Sequence, residues 1–146
     1  MTPAAPALLV ARVGSEHYGF DVTEVREIVA IAAVAEVPTV SRAVRGVMPR
    51  GERHVSLVNL AALLSGEPPP FETSSAAVVV TAGGADLALE VDEVESVVDR
   101  GAEYVAAAAA GGLPARGVWR CGTVLVTVLD AGLLAERVAA LQERER

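Results

Sequence analysis

The stretch Gly46-Val47-Met48-Pro49-Arg50-Gly51-Glu52-Arg53-His54-Val55-Ser56-Leu57-Val58-Asn59-Leu60 decides the fold. It reads as a turn carrying an arginine and a glycine, followed by a strand. Val55 alternates with Leu57, and Val58 and Leu60 continue the apolar run. That is how a half-buried strand enters a core. Leu63 and Leu64 follow at the spacing of a short helical turn. The layout returns further on, where Gly117-Val118-Trp119-Arg120-Cys121-Gly122 leads into the apolar run from Thr123 to Asp130. Gly46 and Asn59 stand 13 residues apart, as do Gly117 and Asp130, and Leu63-Leu64 matches Leu133-Leu134. Upstream, Val22 to Val29 lines up with Val91 to Val98 at a shift of 69. Two pairs in the same order at nearly the same shift indicate one unit used twice. Two copies are too few for an open solenoid, so they predict two small barrels or sheets facing each other.

The bulk numbers bound the function. At 146 residues the chain is one domain with two lobes. A half of about 70 residues has a core of only a few kcal/mol, so the halves should share apolar surface. Hydrophobic residues make up 52% and aromatic residues only 3%, a poor composition for stacking bases. The net charge of -7 argues against a nucleic-acid or anionic-membrane partner, both of which need a basic surface. All 12 basic residues are arginine. The single cysteine, Cys121, builds neither a disulfide framework nor a cysteine metal site. No leader pattern opens the chain and no run of about 18 apolar residues occurs, so a cytoplasmic protein without direct membrane insertion is expected.

Taken in order, residues 1–6 form a loose lead, and Ala7 to Val13 is a strand. Gly14 to His17 is a turn and Tyr18 to Phe20 a returning strand. Asp21 caps a single helical turn, after which Val25, Ile28, Val29 and Ile31 carry another strand that ends at Val37-Pro38. Pro68-Pro69-Pro70 stiffens a linker near mid-chain. Ala76 to Thr81, Asp86 to Val91 and Val94 to Val98 are strands, with Gly83-Gly84 turning between the first two. Ala106 to Gly112 is an alanine- and glycine-rich loop. Asp130 caps a last helix whose stripe Leu133, Leu134, Val138 and Leu141 faces the core. Short strands with turn signals and one terminal helix predict a mainly β fold, with barrels favoured because they remove exposed edges.

These residues resemble the CheW family, the adaptors of bacterial chemosensory arrays. The resemblance runs from about Leu8 to Leu141 and rests on order and spacing. Its elements are Phe20-Asp21-Val22 to Val29, Val37-Pro38, Gly46-Val47, Arg50-Gly51, Val55 to Leu64, Val91-Asp92-Glu93-Val94, Gly117-Val118 and Val128-Leu129-Asp130. It implies two small SH3-like five-stranded β-barrel subdomains sharing a hydrophobic core, with a C-terminal helix. The expected domain spans 7–141. Its first lobe is about 16–66 and its second about 76–129, with the N-terminal strand and C-terminal helix packing across and residues 142–146 loose. The family is non-catalytic, and no cofactor or metal is expected. Its partners are the cytoplasmic tips of chemoreceptors and the regulatory domain of the CheA-type histidine kinase. The arginine of the family's Asn-x-Arg-Gly motif lies at the binding groove and is best matched by Arg50, followed by Gly51; Val37 and Arg45 are the neighbouring candidate contacts. The loop departs from the pattern: Pro49 alone stands between Met48 and Arg50. That departure raises the alternative of a diverged adaptor that binds receptor but not kinase.

The other residues weigh less. Arg50 alone, without the resemblance, reads as a solvated loop arginine. Asp92, Glu93 and Glu95 read as solvated positions beside a buried Val91, Val94, Val97, Val98 stripe. His17 and His54 look isolated. Ser15, His17 and Asp21 share letters with a catalytic triad, which only geometry can establish. Trp119 and Cys121 read as packing residues. Gly83-Gly84 and Gly111-Gly112 lack the Lys-Ser/Thr of a phosphate loop. A small-molecule-binding or catalytic barrel is the contrasting reading; it requires convergent polar groups that these valine-, alanine- and leucine-rich strands scarcely offer.

Overall fold

The structure, a computed structural model, describes residues 7–31, 43–67, 74, 76–98, 103–106 and 113–144. The chain forms β1 (Leu8–Val13), β2 (Glu16–Asp21), a 3₁₀ turn (Val22–Glu24), β3 (Val25–Ala30), β4 (Val44–Arg50), β5 (Arg53–Asn59) and α1 (Leu60–Ser65). It continues with β6 (Ala76–Ala82), β7 (Ala85–Val91), β8 (Glu93–Val98), β9 (Glu103–Ala106), β10 (Ala115–Cys121), β11 (Val124–Leu129) and α2 (Ala131–Arg144). The fold is mainly β, in two sheets with a C-terminal helix. One sheet has six strands in the order β8-β1-β2-β11-β10-β9, and the other has five in the order β3-β6-β7-β5-β4.

The repeat is real, and its two copies are interlocked. The β1–β2 hairpin pairs with β8 and β11, and the β6–β7 hairpin pairs with β3 and β5. Each repeat therefore lends its hairpin to the other's sheet. The expected lobes 16–66 and 76–129 do not coincide with the sheets, and this corrects the division at the proline run. The cause is local. The 3₁₀ turn capped by Asp21 redirects the chain out of the β1–β2 hairpin, so β3 joins the other sheet. Two parallel pairings, β2 with β11 and β5 with β7, then lock the exchange.

Corresponding details recur in both copies. Asn59 Oδ1 accepts from Ala62 N at 2.9 Å at the start of α1, and Asp130 Oδ1 accepts from Leu133 N at 3.0 Å at the start of α2. Both are side-chain N-caps. The ladder slips between Val44 and Gly46 in one copy and between Ala115 and Gly117 in the other. The expected turn at Gly46–Pro49 is in fact strand β4. Gly46, at φ 152°, takes up the bulge. Pro49 is tolerated because β4 ends its sheet and needs no outward donor there. The short strand β9 was not anticipated. Residue 107 onward to 112 lies outside the described residues, as do 1–6, the proline run and 145–146, while α2 continues past Leu141 to Arg144.

Alternation along the strands builds three cores. Leu9, Ala11 and Phe20 meet Val58, Val78, Val80, Leu89, Leu129 and helix residues Leu63, Leu134 and Val138 in one core shared by the sheets. The opposite faces fill each barrel: Met48, Leu57, Ala77 and Val79 in one, Leu8, Val10, Trp119, Val126 and Val128 in the other. Strands buried on both faces must be apolar at consecutive positions, which explains the run Ala76 to Val80. Two expected core residues face outward. Leu133 is 42% exposed because the cap at Asp130 sets the helix phase that turns Leu134 and Val138 inward, and Val97, 65% exposed, lies on the edge strand β8.

Gly19 shows how tight the barrel around Trp119 is. A Cβ there would lie 2.9 Å from Val126 Cγ1 and 3.4 Å from Leu8 Cδ1. Gly19→Ala is expected to destabilise the protein by about 1–3 kcal/mol through overpacking. Thermal unfolding checks this, and an unchanged melting temperature would show that the barrel yields.

Candidate functional site

Arg50 ends β4, and the Gly51–Glu52 turn returns the chain into β5. Gly51 adopts φ 61°, a left-handed conformation that a side chain would strain although the space around it is open. The strands β3 and β4 are the two edges of their sheet. Arg50 nevertheless reaches from one edge to the other: its Nε donates to Glu27 Oε1 on β3, and its Nη1 donates to Asp86 Oδ2 at 2.8 Å on β7. The sheet therefore curls far enough for a side chain on one edge to reach the other, and the guanidinium links them. The Thr81 hydroxyl extends the network, accepting from Arg26 Nε at 2.7 Å and donating to Asp86 Oδ1 at 2.5 Å. The Arg50 side chain stays 27% exposed. It is half presented and already paired with carboxylates, neither a freely solvated loop arginine nor an unengaged one. Beneath it a recess of about 240 Å³, bounded by Glu27, Val29, Met48, Pro49 and Gly51, runs toward Val79.

Arg45 does not join this surface. Its Nε donates to Glu90 Oε1 at 2.8 Å, and the two side chains are 10% and 0% exposed. The expected contact residue is thus part of a buried ion pair, because position 45 on β4 points into the interface between the sheets. Val37 lies outside the described residues.

A set of residues that sequence reasoning missed is the doubled polar clamp. Arg45, Glu90 and Asn59 meet at one end, where Asn59 Nδ2 also donates to Glu90 Oε1 at 2.6 Å. At the equivalent place Arg116 bonds Asp21 at 3.0 Å, Glu24 at 2.9 Å and Asp130 at 3.2 Å. Asp21 precedes Glu90 by 69 residues, while Arg45 and Asn59 precede Arg116 and Asp130 by 71, so the repeat offsets themselves carry this signal. Each clamp fastens a lent hairpin to its host. The Arg116 clamp holds one cation against three carboxylates. Burial, together with Asp130 and Asp21 nearby, raises the Glu24 pKa despite Arg116. Burial also acts on Asp21, but hydrogen bonds from Thr23 and Arg116 outweigh it and lower that pKa. A carboxyl whose pKa rises on folding disfavours the native state once ionised, and the penalty vanishes at low pH. Glu24→Gln should therefore hold or raise the melting temperature at pH 7, and the difference from wild type should disappear below about pH 4. A stability loss that persists at both pH values would contradict this.

The histidine reading needs one correction. His17 is not isolated, since its Nε2 lies 3.0 Å from Glu95 Oε1 across the β2–β8 side of the six-stranded sheet. Asp21 is committed to Thr23 and Arg116, so no triad forms with His17. Asp92 accepts from Gly14 N at 2.7 Å, fastening the β1–β2 turn. No cluster of three or more metal-ligating side chains occurs among the described residues. Trp119 is a packing residue as expected, set edge-on to Tyr104 at 5.0 Å between ring centres. Between the sheets, a second concavity of about 460 Å³ is lined by Val13, Tyr18, Ala61, Leu64 and Leu113 with Glu90 at its floor.

Comparison with known proteins completes the description. A family model described as CheW-like domain matches residues 7–139. No curated protein matches the chain. Among solved structures, the chain is similar to the scaffolding protein TtCheW from Thermoanaerobacter tengcongensis, with 18% identity and a TM-score of 0.76 over 91% of this chain and 92% of that one. At that identity the likeness is one of fold.

Proposed function

The chain belongs to the family of CheW-like domains, and from that premise we propose that it is a non-catalytic adaptor of a chemosensory array, coupling chemoreceptor cytoplasmic tips to a CheA-type histidine kinase. The observation that carries this reading is the family match itself, which spans both sheets and includes the Arg50–Gly51 loop. The geometry supports it. The loop stands at the surface on an intact β4–β5 hairpin, in register to Arg50 opposite Arg53. The changed residue count around Pro49 is absorbed without opening that hairpin, which favours ordinary coupling over the receptor-only alternative. A small-molecule barrel is disfavoured because both barrel interiors are filled by buried side chains, among them Met48, Leu57, Trp119 and Val126. Among the described residues no helix is long and apolar enough to cross a membrane; the proposed place of action is the cytoplasm, at receptor arrays, where individually weak contacts gain strength by repetition.

The test is binding of the purified protein to an immobilised chemoreceptor cytoplasmic fragment and, in parallel, to a CheA regulatory domain. Binding to both is the expected result. Binding to receptor alone would establish the diverged adaptor, and binding to neither would leave the family resemblance as one of fold. Arg50→Ala is expected to weaken partner binding by about 2 kcal/mol, roughly 30-fold. An unchanged affinity would remove Arg50 from the contact.

A further inference from the structure

The mouth of the five-stranded barrel carries charge that its fold does not require. Arg26, Arg53 and His54 are exposed there and line a concavity of about 570 Å³ together with Arg50, Thr81 and Asp86. Arg12, Arg45, Arg50, Arg116 and Arg120 each face a carboxylate. The Arg26 side chain instead bonds only the Thr81 hydroxyl among the described residues, and the Arg53 side chain makes no hydrogen bond or ion pair with any of them. Asp86, the one acid among the described residues that line the concavity, is already taken by Arg50 and Thr81. Two unneutralised arginines thus converge on one hollow in a chain whose net charge is -7.

The repeat supplies an internal control. The positions matching Arg26, Arg53 and His54 in the other copy are Glu95, Val124 and Leu125, at offsets of 69, 71 and 71. That barrel builds the equivalent five strands in the same order, with β9 added at one edge, and carries an acid and two apolar residues at these positions. The basic set is therefore not a demand of the architecture. Like-charged arginines held side by side without a counter-ion repel each other, and that cost is recovered when an anion arrives.

We infer that this mouth is a docking site for an acidic side-chain cluster of a partner protein. The arginine forks grip carboxylates, and His54 adds a further polar contact beside them. A nucleic-acid backbone is disfavoured, since the strongly negative chain repels a long polyanion. The inference goes beyond the adaptor reading, because it names the chemistry of one contact and requires neither receptor nor kinase.

The test is a titration of isotope-labelled protein with a hexaglutamate peptide, followed by amide chemical shifts, with inorganic phosphate as a second probe. Peptide-induced shifts should centre on Arg26, Arg53, His54 and Gly84 and weaken with added salt. The Arg26→Glu, Arg53→Glu pair should reduce affinity at least about tenfold. Arg53→Glu alone, which breaks no bond within the chain, should reduce it at least about threefold with the melting temperature unchanged. Absence of peptide-induced shifts, or shifts insensitive to Arg53→Glu, would overturn the proposal. Phosphate binding as tightly as the peptide would also overturn it, in favour of a free-ion site.

Discussion

Glu90→Ala is expected to cost about 3–5 kcal/mol, the range for breaking a buried ion pair from one side. Glu90 is 1% exposed. Its Oε1 accepts from Arg45 Nε at 2.8 Å and from Asn59 Nδ2 at 2.6 Å, and its Oε2 accepts from Ser74 N at 2.6 Å. Truncation would remove the Glu90 carboxylate from the buried Arg45 guanidinium. It would also free the Nδ2 of Asn59, whose side-chain oxygen caps α1. Because β7 is lent by the second repeat to the first repeat's sheet, the same change loosens the exchange itself. Against a total stability of about 5–15 kcal/mol, the melting temperature should fall by roughly 10 °C or more. Replacing the pair together, Glu90→Leu with Arg45→Met, should recover most of the loss, since a well-packed apolar pair matches a buried ionic one. A drop smaller than about 2 °C for Glu90→Ala alone would mean the pair contributes no more than a surface contact.

The second large effect concerns the interlocked halves. Cut within the proline run, the chain should yield two fragments that show no cooperative unfolding separately and regain the native spectrum when mixed. Each half lacks the hairpin that completes its sheet. Its own hairpin is a poor substitute, because the barrel interiors are matched in size. In the barrel holding Trp119 a Cβ on Gly19 would lie 2.9 Å from Val126 Cγ1, whereas the barrel holding Met48 has Ala88 at the corresponding position. A half that kept its own hairpin would set Ala88 in the Trp119 barrel or leave Gly19 beside Met48, giving overpacking in one case and a void in the other. Circular dichroism on each fragment and on the equimolar mixture decides the matter. A folded isolated half would show that the exchange is dispensable.

Much of the candidate site was legible and part of it was not. Arg50 and Gly51 stood out because an arginine and a glycine before an alternating apolar run is a local pattern. That Arg50 reaches Glu27 on the opposite sheet edge and Asp86 on β7 was not legible, since those partners lie 23 and 36 residues away. Arg45 looked like a surface neighbour of the motif. Only the packing of β7 against β5, with Glu90 facing it, turns that position inward. His17 looked isolated because Glu95 is distant in sequence.

By itself the sequence determined what depends on neighbours along the chain. Asp21, Asn59 and Asp130 had to cap turns, because short polar side chains accept the free N–H groups just after them. The duplicated order of strands had to give two similar sheets, because hydrophobic alternation sets which face of each strand is buried. Tertiary structure alone decided which hairpin completes which sheet. Hairpins of nearly equal pattern can pair with either host, and the choice rests on long-range terms that no local window contains: the fit of Gly19 and Trp119 within one barrel, the pairing of Arg45 with Glu90 and of Arg116 with Asp21, and the turn at Val22–Glu24 that carries β3 away from its own hairpin.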